Sequence, residues 1–522
     1  MGGEKDEIPP KLVSVNPGNE SLNVKPNTIE LTFDEYVKAE TPNKQIIITP
    51  RINKDEMQVT ASRNRILIKL NQELEDSTTY VFNFQKSIKD ITESNPAENL
   101  KLVFSTGPFI DSLTFSGKVG YVFPPREKNF KDVLVGLYPL GDTTDVLTGP
   151  PYYLSTADST GKFKISNIKS GSYTAYAWHD ANNSLKAEDK SEAYAFLGDT
   201  LEITENMDGA EFLLAKADLA KFRINRASPS GSNFDVVINK TPVKIEVDHE
   251  SLNKELFYRR NEKTLRFYHT SITNDSIPVK LNMVDSVGFK IDTTLYVKFE
   301  KSDRAKEKLE PTFNSTKPFL NTLTSELNFN KPVVEINFDS LFVKYDTASI
   351  IQITSEHIRF EHPDQKTKLL FNIPISQNIK NENFTIWAGA STFQDVEGLI
   401  NEKSIETSAR RLKKETLAEE VKIEVNTKEL PIILQVLNKR DEVIEERYLT
   451  ESNTTIFRTL EGGVYQIRAI IDRNKNKIWD TSNMRENRQA EPVYYLYNPN
   501  DNNSRDITIR GGWSIELTIE TD

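Results

Sequence analysis

Short runs of β-branched and aromatic residues, bounded by Pro, Gly, Asn or Asp, recur along the whole chain. Apolar and polar residues alternate within these runs, for example in Ile29–Phe33, Arg65–Leu70, Tyr80–Phe84 and Leu100–Ser105. Alternation with a period of two buries one face of a strand and leaves the other face in water. The pattern therefore predicts an all-β protein. The best helix prediction is Ser408–Glu420, with a charged connector as the alternative.

Length and composition limit the possible functions. A chain of 522 residues is too long for one hydrophobic core, so several domains are expected. The formal net charge of −11 argues against nucleic acid as a partner, because nucleic-acid binding depends on clustered Lys and Arg. The sequence contains no cysteine, which excludes disulfides, thiolate catalysis and cysteine-based zinc sites. No apolar run approaches the roughly 20 residues of a membrane-spanning helix.

Internal repeats indicate how the chain is organised. Residues 24–49 match residues 330–354, and residues 80–98 match residues 384–402. The spacing between the two matching elements is similar in both places. This similarity predicts two copies of one domain, which we name A and A′.

A second repeat follows each copy of the first. Gly171–Tyr194 matches Gly463–Tyr495, and both segments read Gly-x-Tyr, a strand, an Asp/Asn-rich stretch and a charged loop. We name these domains B and B′; a domain without a detectable partner, C, lies between the two pairs. The predicted arrangement A–B–C–A′–B′ has the boundaries 8–107, 111–216, 217–312, 313–410 and 415–522.

Three segments of domain A carry a resemblance to a known domain family. They are "PPKLVSVNPGNESLNV" (Pro9–Val24), "IELTFDEYV" (Ile29–Val37) and "YVFNFQKSIKDITESN" (Tyr80–Asn95). With them, domain A resembles the bacterial Ig-like domain of SbsA-type surface-layer proteins and lipoproteins. The resemblance implies an Ig-like β-sandwich in A and, through the repeat, in A′.

Domain B resembles another sandwich family. Asp158–Asn183 contains a D-x-x-G turn, a Gly-x-Tyr strand and the Asp loop, and in these features B looks like a transthyretin-like, or prealbumin-like, β-sandwich. Leu460–Asn476 of B′ keeps the strand and the loop without a clear D-x-x-G turn. Such modules act as spacers or binding platforms, so this resemblance implies a fold more than an activity.

The opening residues "MGGEKDEIPP" resemble the region after the lipidated cysteine of Bacteroidota surface lipoproteins. The resemblance implies a lipid anchor upstream as the only contact with the membrane. It also implies a place at the outer membrane, on the cell surface or alternatively on the periplasmic face. Multi-domain lipoproteins of this kind accompany outer-membrane machines, so the expected partner is an outer-membrane complex containing a β-barrel protein, such as an assembly or export machine.

One loop has oxygen-bearing side chains at the spacing of a calcium site. The candidate calcium ligands are Asp472, Asn474, Asn476 and Asp480. They match the first, third, fifth and ninth positions of an EF-hand loop, but Lys477 stands where that loop has Gly and Asn483 where it has Glu. The alternative is a hairpin in which Asp and Asn side chains bond their own backbone. Calcium is the single cofactor that the sequence suggests.

Exposed aromatic residues are the other candidates for binding. Tyr121, Phe123 and Phe130 lie in "YVFPPREKNF", which combines rings, a Pro pair and charges in one predicted hairpin loop. Trp479 lies in the polar loop of B′. We predict that these four residues contact a protein partner. A rigid turn for the first loop and glycan stacking for Trp479 are the alternatives.

The nucleophile elbow G-x-S-x-G, the P-loop and G-x-G-x-x-G are absent from the sequence. We therefore predict a non-enzymatic structural or accessory subunit of an outer-membrane machine. A glycan-binding or adhesive surface module is the alternative from a different class. An enzyme hidden in domain C is a third hypothesis, which would need a buried acid pair or a His cluster in a pocket.

Overall fold

The computed structural model describes residues 7–125, 129–188, 190, 192–273, 275–501 and 504–521. Strands account for 49% of the chain and helices for 4%, which confirms the all-β prediction of tandem sandwiches. In the described ranges, no helix is long and apolar enough to cross a membrane.

The chain divides into two compact units. The first comprises Met1–Ala220 with Thr481–Ala490, and the second comprises Lys221–Asp480 with Glu491–Asp522. Each of the five predicted domain segments encloses a hydrophobic cluster of its own. The exact domain boundaries stay predictions.

Domain A consists of short antiparallel strands. These are β1 (Leu12–Asn16), β2 (Thr28–Phe33), β3 (Val37–Ala39), β4 (Ile47–Thr49), β5 (Met57–Ser62), β6 (Arg65–Leu70), β7 (Thr79–Asn83), β8 (Ile88–Asp90) and β9 (Lys101–Ser105), with helix α1 (Pro42–Gln45) and a 3-10 turn at Lys54–Glu56. One sheet has the order β1-β2-β6-β5, a second has β4-β7-β9, and β3 pairs with β8. Ile29, Leu31 and Phe33 of β2 are buried, as the alternation predicts.

The strands of domain B form one continuous hydrogen-bonded path. These are β10 (Leu113–Tyr121), β11 (Val133–Pro139), β12 (Tyr153–Thr156), β13 (Lys162–Ile168), β14 (Gly171–His179), β15 (Ala193–Phe196), β16 (Leu201–Ile203) and β17 (Met207–Lys216). The order is β12-β11-β14-β15-β17-β10-β13, and β16 also pairs with β14. The first and last strands, β10 and β17, run parallel, which joins the two ends of the domain.

Domain C is a sandwich of two antiparallel sheets. Its strands are β18 (Ile224–Ser230), β19 (Asn233–Ile238), β20 (Pro242–Asp248), β21 (Leu256–Asn261), β22 (Thr264–His269), β23 (Ile277–Asp285) and β24 (Lys290–Val297). The sheet orders are β18-β19-β22-β21 and β20-β23-β24. Val279, Leu281 and Met283 of β23 alternate toward the core, so C is a further sandwich, as its sequence suggests.

Domain A′ repeats the strand arrangement of A. Its strands are β25 (Pro311–Phe313), β26 (Thr322–Phe329), β27 (Val333–Ile336), β28 (Leu341–Lys344), β29 (Ile350–Gln352), β30 (Ile358–Phe360), β31 (Lys368–Pro374), β32 (Asn383–Ala388), β33 (Phe393–Asp395) and β34 (Ile405–Arg410), with 3-10 turns at Phe338–Ser340 and Ser355–His357. The sheet orders are β25-β26-β31-β30 and β29-β28-β32-β34, and β27 pairs with β33.

Domain B′ repeats the arrangement of B. Its strands are β35 (Glu420–Asn426), β36 (Ile432–Leu437), β37 (Val443–Leu449), β38 (Thr454–Phe457), β39 (Gly463–Ile471), β40 (Val493–Tyr495), β41 (Ile507–Ile509) and β42 (Ser514–Glu520), with 3-10 turns at Lys414–Thr416 and Met484–Glu486. The sheet orders are β38-β35-β42 and β37-β36-β39-β40, with β41 on β39. Its first and last strands are again parallel.

The structure corrects the register of the A repeat. Val37 of β3 pairs with Asp90, and Val333 of β27 pairs with Asp395, so β27 takes the place of β3. The sequence match of residues 24–49 with residues 330–354 instead aligned β2 with β27 and was wrong by one strand. Neighbouring strands carry the same alternation, and the pattern alone does not separate one strand from the next.

The predicted helix at Ser408–Glu420 is also wrong. Strand β34 ends at Arg410, a 3-10 turn follows, and β35 begins at Glu420. Ala409 pairs with Phe384 of β32 and is buried, so tertiary pairing decides the conformation of this charged stretch.

A buried ionic group lies where A′ faces domain C. Lys331 Nζ is 2.5 Å from Asp395 Oδ2 and 3.0 Å from Glu397 Oε2, and the Lys331 and Asp395 side chains are fully buried. Glu397 Oε1 is also 3.4 Å from Ser232 Oγ and from Asn233 Nδ2 of domain C. Among the described residues, the ammonium of Lys331 is the one within ion-pair distance of both carboxylates, while Lys306 Nζ donates to the backbone O of Glu397 at 3.0 Å.

Replacing Lys331→Met removes the buried cation that pairs with both Asp395 and Glu397. We expect a loss of about 3–5 kcal/mol of local stability, because uncompensated buried charges are costly. Hydrogen exchange of the full chain, read at β27 and β33, measures this loss. Lys308→Met removes an exposed pair with Glu402 and is the matched control, which should leave exchange unchanged. Equal exchange in the two variants would contradict the prediction.

Candidate functional site

Each B-type domain has an Asp-headed loop directly after its long central strand. In B, Asp180 follows β14, and in B′, Asp472 follows β39. Both aspartates are buried. We name Asp180–Glu188 with Glu192 the first Asp loop, and Asp472–Asp480 with Glu491 the second Asp loop. The two loops are built by the same hydrogen bonds.

The leading aspartate closes each loop. Asp472 Oδ1 accepts from the backbone N–H of Asn476 at 3.1 Å, and its Oδ2 accepts from that of Lys477 at 2.8 Å. Asp180 accepts in the same way from Ser184 at 2.9 Å and Leu185 at 3.0 Å. Leu185 and Lys477 both take a left-handed backbone, with φ of 59° and 68°. The aspartate bonds therefore hold both loops in a conformation that these side chains disfavour.

A glutamate clamps each loop from the returning strand. Glu491 Oε1 accepts from Arg473 N at 2.8 Å, and its Oε2 accepts from Asp480 N at 3.0 Å. In the first Asp loop, Glu192 accepts from Ala181 N and Glu188 N, both at 2.9 Å.

Sequence reasoning missed both clamping glutamates. The signal was present in the repeat, because "EAY" begins at Glu192 and "EPVYY" begins at Glu491, each next to the strand that follows the loop. A glutamate present in both copies just before the strand that follows the loop marks the clamp.

Burial shifts the acidity of these groups. It raises the pKa of Glu491, and the nearby charges of Asp480 and Asp472 act in the same direction, against the backbone N–H donors. Burial likewise raises the pKa of Asp180. A carboxyl group with a raised pKa in the folded state favours folding most when it is protonated. Its contribution to the free energy of unfolding is therefore lost as the pH rises through that pKa.

The four predicted calcium ligands lie together in the second Asp loop. Asn474 Nδ2 and Asn476 Nδ2 both donate to Asp480 Oδ2, at 2.7 and 2.5 Å. Asn476 Oδ1 accepts from Ile478 N at 2.9 Å, and Asp472 Oδ2 also accepts from the Tyr448 hydroxyl at 2.9 Å. These bonds form the Asx-rich hairpin that was the alternative. Over the described ranges, no cluster of three or more His, Asp or Glu residues is arranged to hold a metal, and calcium binding stays a prediction.

The four residues predicted to contact a partner differ in their burial. The Tyr121 ring stacks on Phe130 with centroids 5.7 Å apart, and its hydroxyl donates to Asn129 O at 3.0 Å. Phe130 is only 6% exposed and belongs to the core of B, so the structure corrects its assignment as a surface contact. Phe123 is half-buried, and residues 126–128 of this loop lie outside the described residues. Trp479 is half-buried and donates from Nε1 to Glu491 O at 2.9 Å. Partner contact by Tyr121, Phe123 and Trp479 stays a prediction.

Two parts of the chain match known family models. Residues 6–106 match the family described as "Bacterial Ig-like domain", in agreement with the expected Ig-like fold of A. Residues 132–186 match the family described as "Polysaccharide lyase family 4, domain II", an fn3-like module. No curated protein sequence matches the chain. The transthyretin-like assignment of B stays a prediction.

Solved structures give weak likenesses. Dimeric latent PorU from Porphyromonas gingivalis is 7% identical with a TM-score of 0.22, and the match covers 60% of this chain and 36% of that protein. Domains 1–6 of the surface-layer protein SbsC are 10% identical with a TM-score of 0.17, and the match covers 98% of this chain and 68% of that structure. The Bacillus anthracis TIE protein is 9% identical with a TM-score of 0.14, and the match covers 100% of this chain and 76% of that protein. Scores at this level carry no argument about fold or function.

The clamp predicts a local effect of Glu491→Gln. An amide keeps one acceptor but turns an N–H donor toward the backbone N–H of Arg473 or Asp480, leaving one of them unsatisfied. We expect the second Asp loop to lose about 1–3 kcal/mol of protection, measured by hydrogen exchange of peptides covering residues 472–480.

Glu192→Gln is the matched variant, which should loosen residues 180–188 and leave residues 472–480 unchanged. Unaltered exchange of each loop in its own variant would contradict the clamp. The same measurement in calcium and in EDTA tests the calcium prediction at the second Asp loop.

Proposed function

We propose that this chain is a non-catalytic structural subunit that works at the cell surface and presents its sandwiches to a protein partner. The match of residues 6–106 to a bacterial Ig-like domain and the separate hydrophobic core of each domain segment support this proposal. The observation that carries it is the bonded joint between domains A and B.

One arginine connects the two domains at this joint. The backbone N–H of Arg51, which follows β4, donates to Tyr152 O at 2.9 Å. Its guanidinium donates from Nη1 to Pro150 O at 2.7 Å and lies 2.8 Å from Asp142 Oδ2 through Nη2. A guanidinium shared in this way fixes both distance and orientation, because its donors lie in one plane.

Further bonds close the joint beside the interdomain connection. Thr79 Oγ1 donates to Asp111 Oδ2 at 2.8 Å, and Asp111 N donates to Thr79 Oγ1 at 2.8 Å. Tyr152 donates its hydroxyl to Glu75. Thr79 and Asp111 are buried, so water does not compete freely for these bonds. A flexible tether needs no such joint, whereas a structural spacer that holds neighbouring domains at a fixed distance does.

The proposal also includes the location of the protein in the cell envelope and the identity of its partner. Resemblance of the opening residues to lipoproteins supports an anchor in the outer membrane, and a β-barrel-containing complex of that membrane is the partner we propose.

A glycan-binding module is the second candidate. It is favoured by the match of residues 132–186 to a domain named after a polysaccharide lyase family and by Trp513, whose side chain is 57% exposed.

Purification of the natively anchored full-length protein from mild-detergent membranes tests this proposal. We expect an outer-membrane β-barrel protein to be recovered in stoichiometric amount. Phe123→Ser should lower that recovery, whereas Tyr36→Ser, which removes an exposed ring from domain A, should not. Recovery of the protein alone, together with binding on a glycan array, would contradict the partner proposal and support the second candidate.

A further inference from the structure

A cleft of about 660 Å³ lies between domains A and B within the first unit. Apolar residues from both domains form part of its lining, and charged and polar residues form the rest; the apolar ones are Ile47, Ile48, Ile52, Tyr80, Pro151 and Leu154. A cleft at a domain joint with apolar residues and a few polar groups is a common setting for ligand binding, because the joint holds both walls in place.

Two sheet-terminal strands contribute residues to this cleft. Strand β4 supplies Ile47 and Ile48 and is the terminal strand of the sheet β4-β7-β9. Strand β12 supplies Leu154 and is the terminal strand of the sheet of domain B. Terminal strands have backbone N–H and C=O groups that pair on one side only, so an extended peptide is a suitable occupant for the space beside them.

The first Asp loop forms a wall of the cleft. Leu185 lines the cleft, and the bond from its backbone N–H to Asp180 Oδ2 holds it in its left-handed conformation. The corresponding residue of the second Asp loop is the exposed Lys477. The two copies of the loop therefore share their hydrogen bonds and differ in the side chain that they present.

Lys54 places a positive charge in the lining of the cleft, in the same segment as Ile52. Its ammonium donates to two carbonyl oxygens beside α1, Asn43 O at 2.9 Å and Ile46 O at 2.8 Å. Among the described residues, no carboxylate lies within ion-pair distance of Lys54. Burial lowers the pKa of Lys54 to about 8. A carboxylate brought into the cleft would restore the compensation that this charge lacks.

Other charges face the same space. The charged and titratable groups that line the cleft with Lys54 are Lys44, Arg51, Asp55, Glu73, Glu75 and Tyr80. Arg51 is paired with Asp142, and Glu75 accepts from the Tyr152 hydroxyl. Asp55 and Glu73 are exposed at the rim, where water and salt screen them. The partly desolvated Lys54 therefore determines which charge the interior of the cleft favours.

We propose that this cleft binds the carboxyl terminus of a peptide with apolar side chains. Its carboxylate pairs with Lys54, its apolar side chains lie against Ile48, Ile52 and Leu185, and its backbone runs beside β4 and β12. The site does not depend on the proposed membrane partner, because any chain ending in this chemistry satisfies it.

Calorimetric titration of the full chain with N-acetyl-leucyl-valyl-leucine tests this site, with the C-terminal amide of the same peptide as the uncharged probe. At about pH 6.5 we expect the acid to bind about tenfold more tightly than the amide, which corresponds to one charge-assisted contact. That preference should shrink as the pH rises above about 8, because Lys54 loses its proton.

Lys54→Met keeps the aliphatic stem and should abolish the preference for the acid. Lys44→Met removes another lysine from the same cleft and should retain the preference. Equal binding of acid and amide by the unmodified chain, no binding at millimolar peptide, or a preference that survives Lys54→Met would each overturn the proposal. Tighter binding of octanoate than of the peptide acid would also overturn it, by assigning the cleft to free apolar carboxylates.

Discussion

Buried aspartates that accept backbone N–H groups hold the turns of this protein together. Asp90 accepts from Glu93, Ser94 and Asn95 at the end of β8, and Asp285 accepts from Val287 and Phe289 at the end of β23. Asp395, Asp180 and Asp472 do the same at the ends of their strands. Short strands leave many turns, and each buried turn needs acceptors for its backbone donors. The oxygens of these side chains therefore make closely spaced turns possible in a chain without disulfides.

Alternation of apolar and polar residues was enough to predict the fold class, because Ile29–Phe33 and similar runs suit a half-buried strand and no helix. It was not enough for the register of the A repeat, since β2, β26 and β27 have the same period. Sequence spacing placed Asp472 and Asp480 in one loop, where Asn476 is hydrogen-bonded to both carboxylates. Glu491 was missed because its contact is made across the loop, and Lys54 was missed because nothing local in "NKDE" shows that a domain joint covers it.

The two B-type domains present different side chains on loops that have the same hydrogen bonds. Both Asp loops keep the leading aspartate and the clamping glutamate, so the backbone of the loop is the retained feature. Leu185 of the first loop lines the A–B cleft, whereas Lys477 of the second loop is exposed with its ammonium 5.4 Å from the Tyr448 ring. The two loops thus present different side chains on the same backbone, and the match to a domain family does not identify those side chains.

Spin-label distance measurement tests most directly whether the A–B joint is fixed. The chain has no native cysteine, so Lys101→Cys on β9 and Lys162→Cys on β13 label the two domains specifically. A fixed joint predicts one narrow distance distribution that broadens when Arg51→Met removes the shared guanidinium, and that stays narrow in Arg65→Met, which removes an exposed pair with Glu30. A broad distribution in the chain with Arg51 intact would contradict the account.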